Sequence, residues 1–308
     1  MHSKTHIAII GIGAVGGFYS GLLAGHYYQS DEVEVSFIVR GLNKKAIIEN
    51  GLRIKAADFD QVVHPDNITD DPSTLRTIDY LICCTKSYGL EQSIEQVKPA
   101  IDSQTVILPL LNGVDSRETI EKLLPENEVW DGCAYIVSRL EEPGLIQTHS
   151  KMRSLNFGSD KGTAEKLKQA ETIFRNAGID AYWSKNIEKT IWEKFIFISA
   201  MATVTSYLDT TVGDIQTKEE GQKLFLALLT EIKAVADAKR IPVSDNIIQD
   251  TIEKSSYMPP ESTTSMHSDF QAGKLTELES LTGYIVKSGR ELGVDVQTYE
   301  MMYTKLKG

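Results

Sequence analysis

The sequence predicts an α/β protein of two domains, a doubly wound parallel sheet over residues 1–184 and an all-helical domain over residues 185–308. Three observations carry that expectation. A short apolar run ends in glycines spaced G-x-G-x-x-G, strand-like and helix-like segments alternate through about the first 180 residues, and helical periodicity takes over from Ile187.

Residues 7–10 (IAII) form a continuous apolar run, as a central parallel strand covered on both faces requires. In the stretch Gly11, Ile12, Gly13, Ala14, Val15, Gly16, the first glycine allows a turn that a Cβ obstructs. Gly13 lets backbone approach a pyrophosphate, and Gly16 lets the next helix sit close to the strand. That helix, residues 14–28, turns free N–H groups and the positive end of its dipole toward phosphates. Glycine-rich turns are common by themselves. Between a strand and a helix this one reads as a dinucleotide site.

A second strand, residues 33–39 (VEVSFIV), ends at Arg40. At this position Asp or Glu would accept from a ribose 2′-hydroxyl and select NAD, whereas a guanidinium matches a 2′-phosphate bidentately. Arg40 therefore favours NADP(H); the plainer reading is a solvated arginine at a strand end. A helix over 44–50 closes at Gly51, a strand follows over 51–56, and 58–77 reads as loop with short strand pieces. Residues 78–85 (IDYLICCT) return to a buried strand followed by Lys86, at the carboxyl end where such sheets bind ligands. A helix spans 90–97, and a strand over 105–111 (TVILPLL) ends at Asn112-Gly113. That Asn either orients a ligand or simply makes a turn. Residues 144–149 and 153–158 alternate as strands, and 164–177 is helical. Beyond Trp183 the helices are 187–207, 219–240, 244–255 and 274–292, with a break over 257–264 at Pro259-Pro260.

Bulk properties exclude several classes of function. A length of 308 residues suits two domains, and 41% hydrophobic with 24% charged residues is a globular composition. The formal charge of −11 argues against nucleic acid or an anionic membrane as partner. No signal-peptide pattern opens the chain, and the densest apolar run, residues 195–204, is too short to span a bilayer, so a cytoplasmic location is expected. Three cysteines, two of them the adjacent Cys83 and Cys84, form neither a disulfide framework nor a zinc site, and six scattered histidines lack ligand spacing. No metal is expected.

Candidate chemistry concentrates in the helical half. Ile191, Lys194, Phe195 and Ile198 fall at i, i+3, i+4 and i+7, so Lys194 lies on an apolar stripe. Desolvation there lowers a lysine pKa toward neutrality and makes a proton donor; a lysine that snorkels or pairs with a carboxylate fits the same position. Ser265 and Asp269 share one face of a short helix, and Glu277 opens the next long one. A helix-start serine, a solvated aspartate and a first-turn acid are their ordinary roles.

The motifs GIGAVGG, VRG, TKSY, LNG, IWEKF and SMHSD with a Glu eight residues after its Asp together resemble the ketopantoate reductase family, from Gly11 to Glu277. The resemblance implies a Rossmann domain and a helical domain related to that of 6-phosphogluconate dehydrogenase, in an enzyme of pantothenate biosynthesis that reduces 2-dehydropantoate to pantoate with NADPH. It implies Lys194 as general acid and Glu277 as the acid holding the cofactor and substrate end, the two catalytic residues. Asn112 is implied as a contact to nicotinamide and substrate. Cofactor contacts are implied at residues 11–16, Arg40, Lys86 and Ser138, and substrate contacts at Ser265 and Asp269. A homodimer is also expected. Ile198, Ala202 and Val212 stand where pantoate-forming members typically carry asparagines. A reductase of another 2-keto acid, or a non-catalytic NADP(H)-binding sensor, is the alternative.

Overall fold

The computed structural model describes residues 4–308, which divide into two compact units. One runs through Leu111 and resumes as Ser116–Ile187; the other combines Asn112–Asp115 with Glu188–Gly308.

The first unit holds strands β1 (Thr5–Ile10), β2 (Val33–Ile38), β3 (Leu52–Lys55), β4 (Asp60–Val63), β5 (Asn67–Thr69), β6 (Tyr80–Cys83), β7 (Val106–Pro109), β8 (Glu128–Val129), β9 (Asp131–Tyr135), β10 (Ser138–Glu142), β11 (Leu145–Thr148), β12 (Ser154–Gly158) and β13 (Asp180–Trp183). Its central sheet is wholly parallel, in the order β5-β2-β1-β6-β7-β8. Counting only the strands of that sheet, the order is the 3-2-1-4-5-6 of a Rossmann fold. Alternate residues enter separate apolar cores on its two faces, Ile7, Ile9, Val35 and Phe37 on one, Ala8, Ile10, Ile38 and Leu81 on the other. That two-sided burial is why the sequence shows continuous apolar runs. The parallel pattern expected across the whole half stops at this sheet. A mixed sheet, β10-β11-β3-β4, and a third, β13-β12-β9, contain antiparallel pairs. β3 alternates buried and exposed residues, as a strand covered on one face does.

Helices α1 (Ala14–Tyr27), α2 (Gly41–Asn50), α3 (Leu90–Val97), α4 (Ser116–Leu123) and α5 (Ala164–Asn176) complete this unit. The first is wedged between two sheets. On one side Gly16 faces the end of β6; on another, Gly17, Gly21 and Gly25, at i, i+4 and i+8, lie against Ile146, Ile54 and Val63 of the mixed sheet. A Cβ at any of the three would approach those side chains to 2.9 Å or less.

The second unit contains α6 (Ile187–Leu208), α7 (Val212–Thr217), α8 (Glu219–Ala238), α9 (Ile247–Ser255), α10 (Ser265–Gln271), α11 (Tyr284–Leu292) and α12 (Gln297–Lys307) around one apolar core. The helix expected over 274–292 begins later, and its first turns, Glu279–Gly283, are a π-helix. Among the described residues no helix is long and apolar enough to cross a membrane.

His6 shows how polar groups are accommodated in the sheet. Its Nδ1 donates to the Thr77 carbonyl at 3.1 Å, which makes Nε2 the acceptor of the Ser36 hydroxyl at 2.7 Å; Ser36 in turn accepts from the Asn67 amide at 3.2 Å. Burial holds the imidazole pKa below its usual 6.5. A group with a depressed folded pKa contributes stability above its unfolded value and loses it as pH falls. The urea midpoint should therefore drop between pH 7.5 and 5.5 more steeply in the native protein than in His6→Gln. Parallel pH profiles would remove His6 from the acid response.

Candidate functional site

The register of β2-β1-β6 brings three carboxyl ends side by side: Ile10 pairs with Ile38 and Cys83. The next residues on these strands are Gly11, Val39-Arg40 and Cys84-Thr85-Lys86. Gly11 takes φ +92°, a region an L side chain rarely adopts. An added Cβ there would lie 2.7 Å from the backbone of Cys84 and Thr85, and one on Gly16 would lie 2.1 Å from the Gly11 carbonyl oxygen. A Cβ on Gly13 would meet no protein atom within 4 Å. The turn is thus closed on its protein side at Gly11 and Gly16 and open at Gly13. The first helical bond of α1 runs from Gly17 N–H to the Gly13 carbonyl, leaving the amides of Ala14, Val15 and Gly16 as first-turn donors.

Two polar atoms bear on whether a dinucleotide fits this unit. Thr85 Oγ1, beside Gly11, and Ser138 Oγ, at the start of β10, are buried without a hydrogen-bond partner. An unpaired buried hydroxyl calls for an explanation, and a ligand's phosphate and ribose oxygens supply one. Thr85 was not singled out from sequence, where it is one more residue of an apolar run. Arg40 is exposed and precedes α2, whose N-terminus carries no side-chain cap. Lys86 is half-buried ahead of a short 3₁₀ turn, Ser87–Gly89. The thiol of Cys83 is buried and pushed up to about 12, so it remains protonated at neutral pH.

In the helical unit, Lys194 is half-buried on α6 and its Nζ donates to Asn112 Oδ1 at 3.2 Å. Two residues far apart in sequence, each expected to carry chemistry, are therefore in contact. Accepting at Oδ1 leaves the Asn112 amide nitrogen as a donor. Glu277 is only 4% exposed and immediately precedes the turn into the π-helix. Ser265 is exposed and Asp269 half-buried, both on α10.

Two polar networks that sequence inspection missed fix these elements. The wide π turn lies against α6: Ser199 Oγ donates to the Leu281 carbonyl at 2.9 Å and accepts from Tyr299 OH at 3.0 Å, and Thr203 meets Thr282 at 2.7 Å. Burial raises the Tyr299 phenol well above its usual range, so it stays a donor. At α10, buried His267 donates from Nε2 to Asp209 at 2.8 Å, and its Nδ1 lies 2.5 Å from the Thr263 hydroxyl. Thr264 caps the same helix by accepting from His267 N–H at 3.3 Å. Ala202 and Val212 lie inside the helical core and Ile198 packs against it. Among the described residues, no group of three or more His, Cys, Asp or Glu is placed to hold a metal ion.

Known proteins resemble this chain over its length. The family model described as ketopantoate reductase PanE/ApbA matches residues 7–162, and its C-terminal counterpart matches 186–308. An uncharacterized oxidoreductase, YkpB of Bacillus subtilis, is 28% identical over 97% of both chains. The crystal structure of 2-dehydropantoate 2-reductase from Porphyromonas gingivalis W83 is 34% identical, with a TM-score of 0.86 over 99% of this chain and 100% of that one. A D-mandelate dehydrogenase solved with NADH and anilino(oxo)acetate, 23% identical over 98% of this chain and 97% of its own, shares the fold with a TM-score of 0.86.

The glycine turn makes a paired prediction. Gly16→Ala, clashing with backbone, should lower unfolding free energy by roughly 1–3 kcal/mol in urea titration. Gly13→Ala should leave the unfolding midpoint unchanged yet weaken dinucleotide binding by about tenfold or more, because its methyl fills the open side of the turn. Unaltered affinity in Gly13→Ala would show that the turn faces no ligand.

Proposed function

Because the chain belongs to the ketopantoate reductase family, oxidoreductases acting on the CH–OH group of 2-hydroxy acids, we propose that it reduces 2-dehydropantoate to (R)-pantoate with NADPH. The observation that carries this reading is the contact of Lys194 Nζ with Asn112 Oδ1. Residues 1–184 are the dinucleotide-binding part and 185–308 the part that holds the keto acid. NADPH, when bound, supplies the hydride that adds to the keto carbon. Lys194 gives a proton to the oxygen of that carbonyl, and Asn112 holds the ammonium in one direction while its own N–H group donates to the ligand. Residues 11–16, Lys86, Ser138 and Glu277 hold the cofactor, Arg40 its 2′-phosphate, and Ser265 and Asp269 the substrate. The unpaired hydroxyls of Thr85 and Ser138 and the open side of Gly13 support the cofactor half.

Mixing the purified protein with NADPH and a panel of 2-keto acids, and following loss of nicotinamide absorbance, tests this directly. Lys194→Ala should keep cofactor affinity while turnover falls about 10²–10⁴-fold, the contribution of a positioned general acid. Arg40→Ala should weaken NADPH, through the loss of roughly 1.5–3 kcal/mol of charge-assisted bonding, and leave NADH nearly unchanged. No oxidation with any keto acid, despite NADPH binding, would leave a sensor instead.

Ile198, Ala202 and Val212 bear on substrate choice if they line the pocket. Apolar side chains at these positions offer no amide hydrogen bond to a substrate hydroxyl, and a pocket without such bonds rejects an added or missing hydroxyl only weakly. The ratio of kcat/KM for 2-dehydropantoate to that for 2-ketoisovalerate should therefore stay below about 10⁴. A higher ratio would require hydroxyl-directed bonds from other residues.

A further inference from the structure

Asn43, in the first turn of α2, uses both ends of its side chain on distant backbone. Its Nδ2 donates to the Ile12 carbonyl at 2.6 Å, inside the glycine turn, and its Oδ1 accepts from Gly144 N–H at 2.7 Å, in the turn between β10 and β11. The two partners fix the amide's orientation, since one can only accept and the other only donate. Within helices Asn is a poor choice and usually bonds its own neighbourhood. Here it joins segments 31 and 101 residues away.

The glycine turn has one carbonyl that matters for an anion. The Gly11 carbonyl is already occupied by Gly13 N–H at 2.8 Å, and that of Gly13 by the first helical bond. The Ile12 carbonyl is held toward α2 by the Asn43 amide. Freed, that peptide could rotate and set a partial negative charge against a pyrophosphate at the amides of Ala14, Val15 and Gly16. On its other side Asn43 fastens the hairpin that begins at Ser138, whose buried hydroxyl is unpaired. The hairpin turn sits close to α2, where a Cβ on Gly144 would lie 3.2 Å from Ala46 Cβ.

We propose that Asn43 is the positioning residue of the dinucleotide site: it aims the glycine turn for the pyrophosphate and ties it to the Ser138 hairpin, without touching the ligand. This rests on the dinucleotide reading of residues 11–16. The test titrates the full-length protein calorimetrically with ADP-ribose, which carries a pyrophosphate, and with 2′-AMP, which carries none. Asn43→Ala should weaken ADP-ribose roughly 5–10-fold, the loss of one well-formed hydrogen bond, and leave 2′-AMP within about twofold. Asn43→Gln, which retains an amide but displaces it by one methylene, should lose ADP-ribose affinity as well. Equal losses for both ligands with a lowered melting temperature would mean that Asn43 only supports α2, and wild-type affinity in either variant would overturn the assignment. Wild-type protein that binds neither ADP-ribose nor NADPH overturns the dinucleotide reading itself; binding that is indifferent to Asn43 overturns only this inference.

Discussion

At Gly16 the first helix passes the glycine turn at a distance that leaves no room for a Cβ, and at Gly11 the turn passes the residues after β6 almost as closely. These approaches are the constraint on which the first unit depends. They draw the N-terminus of α1 onto the carboxyl ends of β1 and β6, so that its free amides, Thr85 and Lys86 occupy one end of the parallel sheet. The same helix repeats the device further along, with Gly17, Gly21 and Gly25 admitting the side chains of the mixed sheet. Close packing supplies dispersion that larger residues could provide only by moving the layers apart.

The helical unit solves its positioning problem with hydroxyls rather than glycines. A π turn widens the helix after Glu277 and leaves carbonyl groups out of the regular i→i−4 pattern. The Leu281 carbonyl accepts from Ser199 of α6, the helix that carries Lys194. With the Thr203–Thr282 pair beside it, this bond ties the rotation of one segment to the other. Glu277 and Lys194 are thereby referred to a common frame within this unit.

What the sequence disclosed depended on how local each feature is. The glycine turn and α3 were legible because their patterns are local, and β1, β2 and β6 because burial on both faces writes a continuous apolar run into each; α3 runs over 90–97 as its periodicity indicates. The mixed sheet was not, because β3 and β11 pair across a long separation that no periodicity reports. LESLTGYIV reads as ordinary helix, and only its packing on Ser199 and Thr203 reveals the wide turn. The apolar stripe drew notice to Lys194, and the structure adds its Asn112 partner. Asn43 looked like one more polar residue at a helix start; its partners, Ile12 and Gly144, come together only in the fold.

The segment Asn112–Asp115 lies between two pieces of the first unit in sequence but belongs to the second in space, with Gly113 so near Ser280 that a Cβ would come within 3.3 Å of its side chain. The boundary between the units is therefore not a single point on the chain, and no single cut yields both intact. Synthesis from the N-terminus adds an order to this. The parallel sheet can close around β7 and β8 while Asn112 is still without the lysine it pairs with, and the loop acquires its final neighbours only after Ser280 has emerged. The sheet can thus be complete on the ribosome well before the Lys194–Asn112 pair exists, which makes the acquisition of that pair a late event in the life of the nascent chain.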